Sequence, residues 1–203
     1  MGIIILLSTS LAAVFVALLP ATPAQAQSTF TVFYEEDPAE PRGRQFVGSA
    51  IWRTETISLG RGELPELAIR ADVEIPKRKL GMIWSLRRNT DSSVPASHMI
   101  EMRFKLPPDE NISNVPGILM KQRGETHGVP FKGLVVKVIN VFFRMGLSAV
   151  DADREHNVQL LLKERAWLDI PIAYSDGHRA LLSIEKGTPG ERAIAEAFAA
   201  WRQ

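Results

Sequence analysis

The stretch LAIRADVEIPKRKLGMIWSLRRNTDSSVPASHMIEMRFKL, residues 67–106, decides the fold. In 67–75, Leu67, Ile69, Ala71, Val73 and Ile75 face one way, and Arg70, Asp72 and Glu74 the other. In 79–87, Leu80, Met82, Trp84 and Leu86 share a face. In 97–106, His98, Ile100, Met102, Phe104 and Leu106 alternate with Glu101, Arg103 and Lys105. Period two in three consecutive segments predicts an antiparallel meander with one buried face and one wet face. A one-residue slip would expose a whole row, and each large buried apolar side chain contributes roughly 1.5–3 kcal/mol, so the register is fixed.

Working outward, GLVVKVINVFF (133–143) is too apolar for a wet face and reads as one central strand. AWLDIPIAY (166–174) and RALLSIEK (179–186) flank SDGH, whose Asp176-Gly177 is a hairpin signal. Pro171 cannot donate to a ladder, which places its strand at an edge or a bulge. DREHNVQLLLKER (153–165) reads as a short helix capped by Asp153, with Val158, Leu161, Leu162 and Arg165 near one face. The C-terminal TPGERAIAEAFAAWRQ reads as a second helix. Thr188 would cap it, Pro189 would take the first position and Glu191 would complete a capping box. Its stripe of Ile194, Ala197, Phe198 and Trp201 should pack across a sheet face. The fold class is mainly β, a sandwich-like or otherwise curled set of antiparallel sheets with one short internal helix and a C-terminal helix.

The chain has 203 residues, 45% hydrophobic and 23% charged, which suits one globular domain with a real core. Its net charge of +1 supplies no global field for nucleic acid, and no nucleic-acid partner is expected. Cysteine is absent, which removes disulfides, thiol nucleophiles and cysteine metal motifs. Ile3 to Leu19 is an almost unbroken apolar run, and ATPAQAQ (21–27) places Ala24 and Ala26 as an A-x-A site. Residues 1–26 therefore read as a signal peptide cleaved after Ala26, although no basic residue precedes the run. The alternative is a retained membrane anchor, for which seventeen residues is at the short limit. Residues 27–45, polar and rich in Pro and Gly towards their end, read as a flexible lead-in, and 46–203 as a single domain in the periplasm or outside the cell.

The connection SLRRNTDSSVPASH (85–98) holds the residue types of a hydrolytic site: Asp91, Ser92, Ser93, Ser97 and His98. A triad needs a serine on one side of the imidazole and a carboxylate on the other, drawn from separate elements. No Gly-x-Ser-x-Gly or other nucleophile signature is present. The segment reads as a polar turn with His98 at the rim of the core. KGTPGER (186–192) lacks the Gly-Lys-Ser/Thr of a phosphate loop. His98, His127, His156 and His178 lie in four segments without metal-ligand spacing, so no metal or other cofactor is expected.

Two basic clusters, PKRK (76–79) and Arg87-Arg88, fall at opposite ends of one strand. The first reads as a solvated, aggregation-resisting tip, or as a contact for an anionic envelope polymer. Trp52, Trp84, Trp167 and Trp201 read as core.

Taken together, IPKRKLGMIWSLRRNTDSSVPASHMIEMRF, SNVPGILMK, FFRMGLSAVDADREHNVQLLLKERAWLDIPIAY and EKGTPGERAIAEAFAAW resemble a group of small exported alphaproteobacterial proteins of the rhizobial type and of unknown function. The resemblance spans roughly residues 46–203 and implies an exported location. It carries no catalytic or ligand residue.

The expectation is thus an exported, non-enzymatic accessory protein of the cell envelope that binds an envelope protein or polymer and meets the membrane only through its N-terminal segment before cleavage. Its contacts would lie on loops 87–97 and 107–130, where long connections on a rigid sheet carry binding residues. Arg87, Arg88, Asp91 and His98 are the candidate binding residues. The rival is a periplasmic hydrolase using His98 with Asp91 or a nearby serine. A third class is an oligomerising module that pairs through a sheet edge.

Overall fold

A computed structural model of the chain describes residues 27–58, 64–162 and 166–202. The expected signal peptide, 1–26, lies outside the described residues. The meander is present: β3 (Glu66–Ile75), β4 (Leu80–Arg88) and β5 (Ala96–Lys105) pair antiparallel in sequence. They sit in one twelve-stranded sheet whose other members are β1 (Ser28–Asp37), β2 (Glu40–Ile57), β6 (Ile112–Asn114), β7 (Leu119–Lys121), β8 (Val129–Pro130), β9 (Gly133–Ile139), β10 (Phe142–Ser148), β11 (Trp167–Tyr174) and β12 (Arg179–Glu185). The strand order is β8-β7-β11-β12-β1-β2-β3-β4-β5-β10-β9, and β6 shares with β7 the free side of β11.

The two ends of this path, β8 and β9, are consecutive in the chain, so the sheet curls back on itself. The Phe131 amide donates to Ile118 O at 3.0 Å, and Lys137 Nζ on β9 reaches Ile112 O on β6 at 2.6 Å. Facing walls of one sheet thus take the place of two sandwich layers. The inner row Trp52–Ala71–Trp84–Met102–Phe143 runs across five strands and is buried throughout.

The polar lead-in expected over 27–45 is instead a hairpin inside the sheet. β1 lies between β12 and β2 and buries Thr31, Phe33 and Glu35 on its inner face. Pro38 and Ala39 make the turn, where Asp37 Oδ1 accepts the Ala39 amide at 2.9 Å. The Pro, Gly and acidic residues mark the hairpin's projecting tip, while the buried half of the strand lies just upstream.

The single central strand expected over 133–143 is two strands, turned at Asn140 with a φ of 44°. β9 ends the sheet, and its outer row of Leu134, Val136 and Val138 is exposed. Pro171, expected at an edge or a bulge, falls between the positions where β7 (through Asp169) and β6 (through Ala173) pair with β11. Its missing amide therefore leaves no ladder bond unmade.

Helix α1 spans Asp151–Leu162 and buries Asn157, Leu160 and Leu161, starting two residues before the expected cap. Arg165 lies outside the described residues. Helix α2 spans Gly187–Trp201 and buries Ala193, Ile194, Ala197, Phe198 and Trp201 against the inner face of β1, β2 and β3. Thr188 makes no capping bond; Lys186 occupies the N-cap and accepts the Gly190 amide through its carbonyl at 3.0 Å. The helix begins two residues earlier than the box requires because Gly187, at a φ of 55°, lets the chain turn directly off β12. Trp52, Trp84 and Trp201 are core residues as expected, whereas Trp167, also expected in the core, is only half-buried at the start of β11. Among the described residues, no helix is long and apolar enough to cross a membrane.

Candidate functional site

The antiparallel order gives the curled sheet two ends with different chemistry. One carries the 89–95 loop and helix α2; the other carries the tips at 38–39, 76–79, 106–111 and 175–178.

At the first end, β4 and β5 set Arg88 directly opposite His98. The His98 ring packs against Phe198 and Trp201, with centroids 5.8 and 5.3 Å away, and its Nδ1 is 3.1 Å from Ser97 Oγ. Burial, helped by the positive charges of Arg88 and Arg154, pushes the imidazole down to about 4. Ser97 Oγ in turn donates to Ser148 O at 3.1 Å. Arg88 is held by Glu66 and donates to Trp201 O at 3.1 Å. Arg87 points to the outer face, 3.7 Å from Glu101.

Asp91 stays in its own turn. Its Oδ1 accepts the Ser93 hydroxyl at 2.6 Å and the Ser93 amide at 2.9 Å, which hold the carboxyl below its usual range. Asn89 Nδ2 donates to the carbonyls of Asp91, Val94 and Ala96 and ties the loop together. Among the described residues, no hydrogen bond or ion pair joins Asp91 to His98. The structure thus brings Arg88 and His98 together, leaves Arg87 and Asp91 apart from them, and gives His98 no orienting acid.

The second end holds a cluster that sequence reading missed. Glu35, on the inner face of β1, is 4% exposed. Arg78, from the turn between β3 and β4, donates to it from Nε at 3.0 Å and from Nη2 at 2.7 Å. The same guanidinium grips Glu110 from Nη1 and Nη2, each at 2.8 Å. These carboxylates hold Arg78 charged despite its partial burial. On the far side of Glu35, His178 Nε2 lies at 3.3 Å, while His178 Nδ1 meets Asp176 at 2.5 Å. The His178 ring stacks on Tyr174 with centroids 4.1 Å apart and an interplanar angle of 11°. Burial raises the Tyr174 hydroxyl well above the usual phenol range.

The basic tip at 76–79 is therefore only partly solvated. Lys77 is exposed, whereas Arg78 turns inward because two carboxylates wait there. No local signal marks the cluster, since Glu35 sits in a stretch whose composition suggests a flexible tail.

Over this cluster the β1–β2 and β11–β12 tips enclose an open cleft of about 960 Å³. Its walls include Tyr34, Glu36, Arg42, Arg44 and Arg179. Asp37 pairs with Arg44 at 2.9 Å, and Glu36 accepts the Arg179 amide at 3.0 Å. Tyr34 is 42% exposed, with Phe30 and Val47 also exposed on the same outer face. This arrangement can hold a ligand through an aromatic face and charges of both signs. Among the described residues, no group of three or more His, Asp or Glu side chains is placed to hold a metal. No protein-family description matches the sequence, and searches of curated proteins and of solved structures found no match.

Proposed function

We propose that the protein is an exported, non-enzymatic accessory module of the cell envelope, and that it binds an envelope polysaccharide in the cleft between the β1–β2 and β11–β12 tips. The carrying observation is that cleft: open, about 960 Å³, and walled by Tyr34 beside Glu36, Arg42 and Arg44. An exposed aromatic face with carboxylate and guanidinium neighbours suits a hydroxyl-rich polymer, which offers C–H faces for stacking and oxygens for hydrogen bonds. Glu35, Arg78 and Glu110 beneath it satisfy one another, so they brace the tips. The His98 hydrolase finds less support, because that ring faces Phe198 and Trp201.

Co-sedimentation with purified peptidoglycan sacculi tests the binding. The protein should pellet with the sacculi, and Y34A combined with R42A should reduce pelleting several-fold. Wild-type protein left wholly in the supernatant overturns this reading. For export, the protein recovered from a periplasmic extract should begin at Gln27 by intact mass.

A further inference from the structure

The two edges of the strand path are finished differently. β8 is two residues long and one of them is Pro130, the short, proline-bearing form that edge strands commonly take. β9, at the other edge, runs for seven residues, Gly133–Ile139, with no proline and a single charge, Lys137. Its strand partner is β10, so among the described residues its far side carries a row of backbone amides and carbonyls that no strand pairs. That side is open to solvent: six of the seven residues are exposed, among them Gly133, which has only backbone to show. Leu134, Val136 and Val138 stand in line on its outer face, and Leu134 is 71% exposed. A row of this kind, beside unpaired backbone, marks a contact surface for another strand.

An inward-pointing lysine usually keeps such an edge apart from other strands, because pairing would bury its charge. Lys137 does not act in this way. Its ammonium already donates to Ile112 O at 2.6 Å and lies 5.8 Å from the centre of the buried Phe143 ring. A strand laid against β9 would strand no charge. The edge is also its own complement. When two copies pair antiparallel with Val136 on the two-fold axis, Val136 faces Val136, Leu134 faces Val138 and Lys137 faces Val135. The outer rows of the two copies then join into one apolar stripe, with apolar side chains directly opposite one another. Centring the pair on Lys137 instead would oppose two positive charges, which selects the first register.

We propose that the protein forms a homodimer through β9, two copies pairing antiparallel along Gly133–Ile139 about a two-fold axis at Val136. The contact is isologous and closes on itself, so it stops at two copies. Two seven-residue edges cover less than the roughly 1,200 Å² of a tight complex, so the dimer is weak and forms as concentration rises.

Sedimentation velocity of the purified protein over a concentration series reads the association, and the absence of cysteine lets single cysteines report the register. Wild type should pass from monomer to dimer as its concentration rises. V136K and V136E should each weaken the dimer by at least about tenfold, because like charges meet on the axis, and an equimolar mixture of the two should restore it. V47K, at an exposed position on the outer face of β2, should dimerise as wild type does. Under mild oxidation V136C should crosslink to itself, whereas V138C should not, since Leu134 lies opposite it. Wild type that stays monomeric up to millimolar concentration overturns the proposal and leaves the edge to a strand of another protein. Dimerisation insensitive to V136K, or crosslinking through V138C in preference to V136C, overturns it as well. Val136 and Val138 are solvent-facing, and circular dichroism matching that of wild type confirms each fold.

Discussion

Trp52 on β2 and Trp84 on β4 meet edge to face, with ring centroids 5.5 Å apart, across the strand that lies between them. They can do so because the intervening residue in the row is Ala71, which is wholly buried. A small residue between two large ones lets an inner row interdigitate at native density. Enlarging Ala71 forces the rings apart: A71L should destabilise the protein by about 1–3 kcal/mol. W84A, which empties the site, should cost about 3–5 kcal/mol. Denaturant unfolding followed by tryptophan fluorescence checks both, and an A71L protein as stable as wild type would refute the packing.

His98 makes stability depend on pH in a defined window. Its folded pKa of about 4 lies below the ordinary 6.5, so as the pH falls the unfolded chain takes up the proton first. The contribution is complete above about 6.5 and is lost on descending to about 4, with a size on the order of 3 kcal/mol. H98F should remove this component, so its stability should fall less than that of wild type between those pH values. Urea titrations at a series of pH values decide it; parallel curves would count against the buried neutral imidazole.

The Glu35–Arg78 pair is inaccessible enough that screening should matter little. R78M leaves the Glu35 carboxylate buried without its guanidinium and should cost about 3–5 kcal/mol. The double variant E35Q/R78M should be less destabilised than the two single losses added together, since neither charge is then stranded. Additive effects in the double-mutant cycle would mean the two groups do not interact.

Gly48 marks a close approach of strands. A Cβ there would lie 2.1 Å from Glu74 O on the neighbouring strand, whereas at Gly117 it would meet nothing within 4 Å. G48A should lower the melting temperature clearly, while G117A should leave it unchanged or slightly raised. Differential scanning calorimetry of the two variants makes the comparison.

Thr188 offers a control on α2. Without a side-chain capping bond in the structure, T188A should change stability by less than about 0.5 kcal/mol, against about 1 kcal/mol for a working cap. A loss at the larger value in urea unfolding would restore the capping box.

Much of the fold was legible because alternation is a local property. The rows of β3, β4 and β5 stand within two residues of their expected limits, and His98 is at the core rim where its row placed it. β9 shows the limit of the same argument. Periodicity and apolarity describe the faces of a strand and say nothing of its neighbours, so a run without charges on its outer face resembles a central strand even at the end of a sheet. The polar tip at 35–45 misled for a related reason, since its composition reports the turn and hides the pairing on either side.

The sequence by itself determined the antiparallel meander, the inward rows, both helices and the lack of any cysteine chemistry, because each follows from residues a few positions apart. Only the tertiary structure decided the curling of the sheet and the meeting of Glu35 with Arg78 and His178, 43 and 143 positions away. Those contacts depend on which strand lies beside which. That choice is made by the packing of the whole inner surface, where burial outweighs the entropy of closing long loops.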